Sequence, residues 1–397
     1  MIKNRDIVCI ANTTWFGEYT KSTVQLMSRL AKNNRVLFVE YPFTWKDTLT
    51  TFLGKQKAPV SRMLGLKSRL ELINTENGSK VYNLVPPPVL PVDFIKKDQL
   101  FKPFFNLNVA LYKIALRKVM KKMEVKDPIV ITAYNPFYGL PLIGQLNEAL
   151  NVYYCYDGIG TRRHGKRIYA IDEAFSKNVD AIVTTSDYIN DDKKKFNPKS
   201  YVVKNGVDFD TFYADAKNKV HKNEQKIVGY IGSLDHRFDI NTVEFAVKNM
   251  PDTLYHFTGN LRNQEIKQRL DKFDNVEFFG SVKPNDVPAL LATYDVGIIP
   301  YLVNDINKNI YPLKINEYMA VGVPVVMTPF ADLKDFSGMV SVAENNETFV
   351  KTLITELEKD SRSAINKRIE FAKSNSWDIK AEEFGEILNK LLENGND

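Results

Sequence analysis

Cysteine is scarce in this sequence: its 397 residues include two, Cys9 and Cys155. Each lies in an apolar run typical of a buried strand, so we expect no disulfide framework and a reducing, cytoplasmic compartment. Long apolar runs are missing too, since no stretch approaches the roughly 18 apolar residues of a membrane-spanning helix. The first apolar run is also too short for the core of a signal peptide. We therefore predict a cytoplasmic protein that meets a membrane only from its surface.

Histidine is equally scarce, and a strong charge imbalance is absent. The four histidines show no metal-ligand spacing, so we expect neither a bound metal nor a cofactor. The formal net charge of +6 suits anionic small molecules or an anionic membrane surface. There is no basic stripe, zinc knuckle or RNA-recognition signature, which argues against a nucleic-acid partner. The length suits two globular domains rather than one.

Short apolar runs alternate with longer amphipathic ones through the first half of the chain. Strands alternating with helices predict a parallel sheet covered on both faces. The predicted strands are residues 7–11, 36–40, 81–85, 129–132, 152–156, 181–185 and 201–204, and a helix is expected at residues 22–33. Residues 42–98, apart from the strand at 81–85, are predicted to be irregular.

A polar segment, residues 217–225, interrupts this rhythm and is predicted to be the domain linker. The alternation then restarts, with strands predicted at residues 227–231, 254–258, 276–279, 296–300, 324–327 and 340–342. Two consecutive α/β series predict two doubly wound sheets, each of which binds ligands at the carboxyl ends of its strands. The predicted domains are residues 1–215 and 216–377.

One predicted helix, residues 104–123, combines an apolar stripe with a cluster of lysine and arginine side chains. One interpretation is a basic amphipathic helix that docks on anionic lipid. The other is an ordinary packing helix with a solvated charged side.

The most specific motif is PLKINEYMAVGVPVV at residues 312–326. Pro312 suits a first helical turn and Gly322 ends the helix. Lys314 and Glu317, three residues apart, share one face near the helix N-terminus, where a lysine favours an anion such as a diphosphate. The Glu317 carboxylate can accept two hydrogen bonds from a ribose diol. The alternative is an exposed i,i+3 ion pair worth about 0.3 kcal/mol.

This segment resembles the donor-binding signature of glycosyltransferase family 4, whose members have the two-domain GT-B fold. The resemblance covers nearly the whole chain, in order, and is closest to the teichuronic-acid type of capsular and cell-wall glycosyltransferases. The other motifs that carry it are WFG at 15–17, VE at 39–40, TTSDY at 184–188, VKNGVD at 203–208, YIGSL at 230–234 with Arg237 and Asp239, NVEFFG at 275–280 and YDVGIIP at 294–300.

The resemblance implies a donor site in the C-terminal domain. Lys314 would contact the donor diphosphate and Glu317 the ribose hydroxyls, while Gly232 and Ser233 would let the backbone approach the phosphates. The donor-binding residues that it implies are Gly232, Ser233, Arg237, Val282, Asn309, Pro312, Leu313, Lys314 and Glu317.

Three of these positions have more specific expectations. Arg237 would be a second phosphate cation, and Val282 lies where the family's backbone meets the base. For Ser233 and Arg237, loop capping and surface pairing are the alternatives.

Asn309 departs from the family pattern. Retaining members usually carry a second glutamate eight positions before the ribose glutamate, and asparagine offers no carboxylate there. Inversion of the anomeric centre is therefore favoured over retention. An inverting enzyme needs a base for the acceptor hydroxyl, and Asp157, at the end of the strand 152–156, can serve. The alternative is that Asp157 caps the Asp-Gly turn that follows.

The acceptor is expected on the N-terminal domain, at Trp15, Gly17 and the basic loop with Arg162 and Arg163, a loop that otherwise is simply solvated. The resemblance also implies that a last helix, residues 378–397, returns to this domain.

The expected reaction is metal-independent transfer from a nucleoside-diphosphate sugar, UDP favoured and GDP possible, to a polysaccharide or polyprenyl-linked saccharide at the inner membrane face. The alternatives are a nucleotide-sugar epimerase of the same fold and a non-catalytic sugar-nucleotide-binding assembly protein.

Overall fold

The chain forms two compact units, described here from a computed structural model. The structure describes residues 2–17, 21–159, 166–216, 225–305, 307–359 and 361–393. One unit comprises residues 1–204 and 380–397, the other residues 205–379. The second unit thus begins before residue 216, because Val207 already pairs with Ser376 inside it. Nearly all of the predicted linker, residues 217–224, lies outside the described residues.

The first unit contains an eight-stranded sheet. Its strands are β1 (Asp6–Ala11), β2 (Arg35–Val39), β3 (Leu70–Asn74), β4 (Lys80–Leu84), β5 (Ile129–Ala133), β6 (Leu150–Cys155), β7 (Ala181–Thr184) and β8 (Ser200–Val202). Their order is β3-β4-β2-β1-β5-β6-β7-β8, and all pair in parallel except β3, which runs antiparallel to β4. The strand order reverses between β1 and β5, which is where sheets of this kind bind ligands.

Helices of the first unit precede or follow these strands. They are α1 (Ser22–Leu30), α2 (Trp45–Phe52), α3 (Val60–Met63), α4 (Asp98–Lys122), α5 (Pro136–Gly139), α6 (Arg167–Asn178) and α7 (Asp187–Lys194). The prediction that residues 42–98 are irregular outside β4 is wrong, because α2, α3 and β3 lie there. A capping box between Thr44 and Asp47 starts α2 and satisfies its first backbone N–H groups.

The second unit contains a six-stranded, wholly parallel sheet. Its strands are β9 (Ile227–Ile231), β10 (Leu254–Thr258), β11 (Val276–Gly280), β12 (Val296–Ile299), β13 (Val325–Met327) and β14 (Ser341–Val342), in the order β11-β10-β9-β12-β13-β14. Its helices are α8 (Phe209–Ala216), α9 (Ile240–Asn249), α10 (Gln264–Leu270), α11 (Val287–Ala292), α12 (Lys314–Ala320), α13 (Asn346–Lys359), α14 (Arg362–Ser374) and the first residues of α15 (Trp377–Glu393). The order reverses between β9 and β12.

The cores of both units lie where the central strands are apolar on both faces. Each residue of β5, β6 and β9 is buried, as expected for parallel strands with helices on both faces. Cys9 and Cys155 are free and buried. From Lys380 onward α15 belongs to the first unit, where Phe384 packs edge-on against Tyr154. The predicted class, two Rossmann-like parallel-sheet domains, is confirmed.

Candidate functional site

The switch point of the second sheet lies between the ends of β9 and β12. Gly232 follows β9, and its φ of +140° is open to glycine but strained for other residues. A Cβ at this position would stand 2.5 Å from Nζ of Lys314. Gly259, after β10, has the same φ, and a Cβ there would stand 1.9 Å from the carbonyl oxygen of Gly232. The two glycines therefore let three segments approach one point.

Lys314 is the first residue of α12, and its ammonium group lies over these strand ends. Nζ donates a hydrogen bond to the Tyr301 hydroxyl at 3.0 Å and stands 4.3 Å from the centre of the Tyr230 ring. Both contacts hold the charge at the end of β9. Lys314 does not pair with Glu317, so the alternative interpretation of an exposed i,i+3 ion pair is wrong.

Glu317 lies one turn along α12 and is half-buried. Among the residues that the structure describes, none donates a hydrogen bond to its carboxylate or forms an ion pair with it. Burial raises its pKa, and the nearby charge of Lys314 offsets that rise only in part. A half-buried carboxylate without a donor is costly to the isolated protein. Its acceptor capacity is available to a ligand with paired hydroxyl groups.

Arg237 brings a second cation to the same point. Its guanidinium donates to both carboxylate oxygens of Asp235, at 2.9 and 2.7 Å, and its central carbon stands 5.5 Å from the centre of the Tyr301 ring. Burial alone raises the pKa of Tyr301, but Lys314 and Arg237 outweigh it and hold that pKa below its usual value. The strand ends thus carry a positive potential, although Asp235 balances much of the Arg237 charge.

The loop after Gly232 also offers a backbone donor. The Tyr230 hydroxyl donates to the carbonyl oxygen of Ser233 at 2.9 Å and so fixes the turn. Within the described part of the chain, no group accepts a hydrogen bond from the Ser233 backbone N–H. A free N–H beside a lysine is an arrangement that suits a phosphate oxygen.

The remaining predicted donor residues surround this point less closely. Val282 is half-buried after β11 and packs on the core of the second unit. Pro312 and Leu313 precede α12, which begins at Lys314 rather than at the proline. Asn309 ends a single 3-10 turn, Asn307–Asn309, and its side chain lies outside the described part of the structure.

The loop after β1 holds two predicted acceptor residues. The Trp15 backbone N–H donates to the buried Glu40 carboxylate at 2.9 Å, and the indole meets Phe38 edge-on at 5.0 Å. Trp15 is therefore buried and positions the loop, while the Phe16 ring is exposed. Lys21 Nζ donates to the carbonyl oxygen of Phe16 at 2.7 Å, and a Cβ on Gly17 would stand 2.8 Å from that Nζ.

Asp157 follows β6 and is exposed. One of its oxygens accepts from the Gly158 backbone N–H at 2.8 Å, so the turn-capping contact of the alternative interpretation is present. The Tyr134 hydroxyl donates to the Gly158 carbonyl oxygen at 2.5 Å, which anchors the same turn. Arg162 and Arg163 lie outside the described residues.

Tyr134 itself was not predicted from the sequence. It follows β5 with a φ of +51°, a left-handed conformation that is uncommon for a bulky residue and that concentrates at functional sites. The adjacent Asn135 side chain donates to the Ala11 carbonyl oxygen at 3.0 Å and ties the ends of β1 and β5 together. No sequence signal marks either feature.

Fold and site together define a two-domain, Rossmann-like α/β protein with a cationic site at the switch point of its second sheet. Residues 225–359 match the family model of glycosyl transferases group 1. A Bacillus subtilis (strain 168) protein, TuaH, named as a teichuronic acid biosynthesis glycosyltransferase, is 30% identical over 162 residues. That match covers 38% of this chain and 41% of the relative, so it spans less than half of either.

Many solved structures match nearly the whole chain, and two of them show the extent of the likeness. Sucrose-phosphate synthase from Thermosynechococcus elongatus has a TM-score of 0.70 and 16% identity, covering 98% of this chain and 99% of that one. A UDP-forming α,α-trehalose-phosphate synthase from Burkholderia xenovorans has a TM-score of 0.68 and 12% identity, covering 98% and 99%. Residues 225–359 thus match a glycosyl transferases group 1 domain, and the chain as a whole has the GT-B fold.

Proposed function

We propose that this protein transfers a sugar from a nucleoside-diphosphate sugar to a saccharide acceptor. The observation that carries the proposal is that Lys314 and Glu317 lie one turn apart on α12. Lys314 is held over the end of β9 by Tyr301, while Glu317, one turn further, receives no hydrogen bond from any residue that the structure describes. A diphosphate needs the first group and a ribose diol needs the second, so both ends of a nucleoside diphosphate have a counterpart.

The donor would bind with its diphosphate against Lys314, the Ser233 N–H and Arg237. When the bond between the anomeric carbon and the phosphate oxygen breaks, the electron pair stays on that oxygen. Fixed positive groups stabilise this developing charge. UDP is the favoured nucleotide and GDP the second choice, and the name of the Burkholderia relative supports UDP.

Asp157 would act as the base of an inverting reaction. The acceptor hydroxyl attacks the anomeric carbon and gives its proton to the carboxylate, which lies exposed at the end of β6. Position 309 offers an amide instead of the carboxylate usual in retaining relatives, which supports inversion. The reaction needs no metal in this proposal, since the cations of the donor site carry the charge of the leaving group.

The acceptor would be a growing polysaccharide or a polyprenyl-linked saccharide, bound near the Trp15 loop of the first unit. The name of the Bacillus subtilis relative supports a role in cell-surface glycan synthesis. Lipid-linked acceptors would be reached from the cytoplasmic face of the membrane. Among the described residues, no helix combines the length and apolar character needed to cross a bilayer.

Calorimetric titration with UDP, GDP and NAD tests the donor site. We expect one diphosphate to bind selectively, and Glu317→Ala to weaken that binding roughly ten- to hundred-fold through loss of charged hydrogen bonds. Glu265→Ala, which removes an exposed acid on α10 of the same unit, is the matched control and should bind like the wild type. Binding that is indifferent to Glu317, or absent, would refute the proposed donor site.

A further inference from the structure

Helix α2 of the first unit exposes its apolar face and buries a polar side chain. Its apolar side chains fall on one face at i, i+4, i+7 and i+8, and they are exposed: Trp45 by 50%, Leu49 by 61%, Phe52 by 72% and Leu53 by 59%. The residue of α2 that is buried is Thr48. Surface helices normally bury the apolar stripe and expose the polar side.

Hydrogen bonds anchor the N-terminal end of α2. The Trp45 backbone N–H donates to the Val89 carbonyl oxygen at 3.0 Å, and the Val89 N–H donates to that of Phe43 at 2.9 Å. The capping box engages Asp47, since Asp47 Oδ2 accepts from the Thr44 backbone N–H at 2.7 Å. In this anchored position the helix buries Thr48 and leaves its apolar face exposed.

A second exposed apolar stripe runs along α4. Its members, spaced alternately by four and three residues, are Leu100, Phe104, Leu107, Leu111 and Ile114, and the same face continues into Lys118, Lys121 and Lys122. The two helices flank one short segment: Val89 pairs with the start of α2, and the Leu90 N–H donates to the Asn108 side chain of α4 at 2.8 Å. Both stripes therefore belong to one region of the first unit.

Between residues 45 and 67 every exposed charged side chain is a lysine, while the one acid of this segment, Asp47, is half-buried in the capping box. Four exposed lysines accompany the apolar face, namely Lys46, Lys55, Lys57 and Lys67. None of them forms an ion pair with another described residue, and the same is true of the three lysines that end the α4 stripe. A second copy of this chain would bring the same positive charge and be repelled, whereas anionic lipid headgroups attract it.

We propose that α2 and the outer stripe of α4 dock this protein on an anionic lipid bilayer. The apolar side chains enter the boundary between headgroups and acyl chains, the indole of Trp45 sits at the headgroup level, and the lysines contact lipid phosphates. The segment that leads into α2 leaves the carboxyl end of β2 beside Glu40, and the Glu40 carboxylate holds the Trp15 loop. Docking thus presents the candidate acceptor loop of this unit to lipid-linked substrates, but it does not depend on nucleotide binding.

Vesicle co-sedimentation and tryptophan fluorescence test this surface. Trp15 and Trp377 are buried, so Trp45 is the exposed one of the three tryptophans and reports insertion by a blue shift. We expect the full chain to bind mixed phosphatidylglycerol–phosphatidylcholine vesicles at least about tenfold more strongly than pure phosphatidylcholine. Leu49→Ser/Phe52→Ser should lower the partition coefficient by about tenfold or more, and Lys55→Gln/Lys57→Gln should lower it in a salt-dependent way.

The matched control is Val342→Ser/Ile354→Ser, which changes two exposed apolar side chains of the second unit and should bind vesicles like the wild type. Unchanged thermal midpoints identify variants that fold normally. Equal binding to neutral and anionic vesicles, or vesicle binding that survives the α2 substitutions, overturns the proposal. So does a wild-type dimer that α2 variants convert to monomers without any vesicle binding. Failure here leaves nucleotide affinity untouched, so it is distinguishable from failure of the donor site.

Discussion

The two sheets share the same central strand order, but the side chains at the carboxyl ends of their strands carry opposite charge. At the switch point of the second sheet, Lys314 and Arg237 surround Tyr301 with positive charge. At that of the first, the loop after β1 is held by the buried Glu40 carboxylate, and Asp157 stands exposed after the neighbouring strand β6. The fold supplies two equivalent crevices. The side chains at the strand ends make one suited to an anion and the other to a group that gives up a proton.

The largest effect that this comparison predicts is at Asp157. Asp157→Asn keeps an oxygen to accept from Gly158 but removes the base, so kcat should fall by about a hundredfold or more while diphosphate affinity stays unchanged. Steady-state kinetics measures kcat, and calorimetry measures the diphosphate affinity separately. Asp191→Asn, an exposed acid on α7 of the same unit, is the control. A variant that retains full kcat would show that Asp157 is not the base.

A smaller effect is expected where the second crevice depends on close approach. Gly232→Ala puts a Cβ 2.5 Å from Lys314 Nζ at a φ of +140°, so it should displace the ammonium group and weaken diphosphate binding about tenfold. Gly158→Ala is the matched control in the first unit, because nothing lies within 4 Å of its Cβ and its φ is not in the left-handed region. Equal nucleotide affinities in the two variants would contradict a diphosphate site at the end of β9.

The smallest effects distinguish the buried Glu40 carboxylate from the half-buried Glu317 carboxylate by their contributions to stability. Glu40 accepts from the Trp15 N–H and from Asn83 at 3.0 Å, so Glu40→Ala leaves two donors unpaired and should cost about 1–3 kcal/mol. Glu40→Gln keeps the acceptor and is the control. Glu317→Ala removes no hydrogen bond to another described residue and takes away a carboxylate that is costly to bury, so it should not lower the thermal midpoint. A large loss of stability in Glu317→Ala would mean that this carboxylate supports the fold rather than a ligand.

The pH dependence of the stability of the ligand-free protein gives a further test of the Glu317 carboxylate. The pKa of Glu317 is raised by burial, so the folded state binds more protons than the unfolded chain above pH 4.5, its ordinary value. Its contribution to stability therefore falls as pH rises from 4.5 through the raised pKa. Glu317→Gln should remove that loss in thermal melts across the interval. Identical pH profiles for variant and wild type would contradict the raised pKa.

The strands were the most predictable part of the fold. Strands β9 and β10 have the bounds that were predicted for them, residues 227–231 and 254–258. This is because a buried parallel strand is an apolar run bounded by polar residues. The elements missed within residues 42–98 break that rule. The apolar face of α2 is exposed, and β3 is an edge strand whose side chains are mostly accessible, so neither shows the pattern of a buried element.

The sequence by itself determined two consecutive α/β series, a glycine at the end of β9, and a lysine and a glutamate on one helix face. All three are local properties, readable from neighbours in the chain. Only the tertiary structure decided that Lys314 bonds Tyr301 rather than Glu317, that Trp15 is buried while Phe16 is exposed, and that Tyr134 adopts a left-handed conformation. Those outcomes depend on which strands lie side by side. That order brings residues distant in sequence to one edge of a sheet, and no local pattern encodes it.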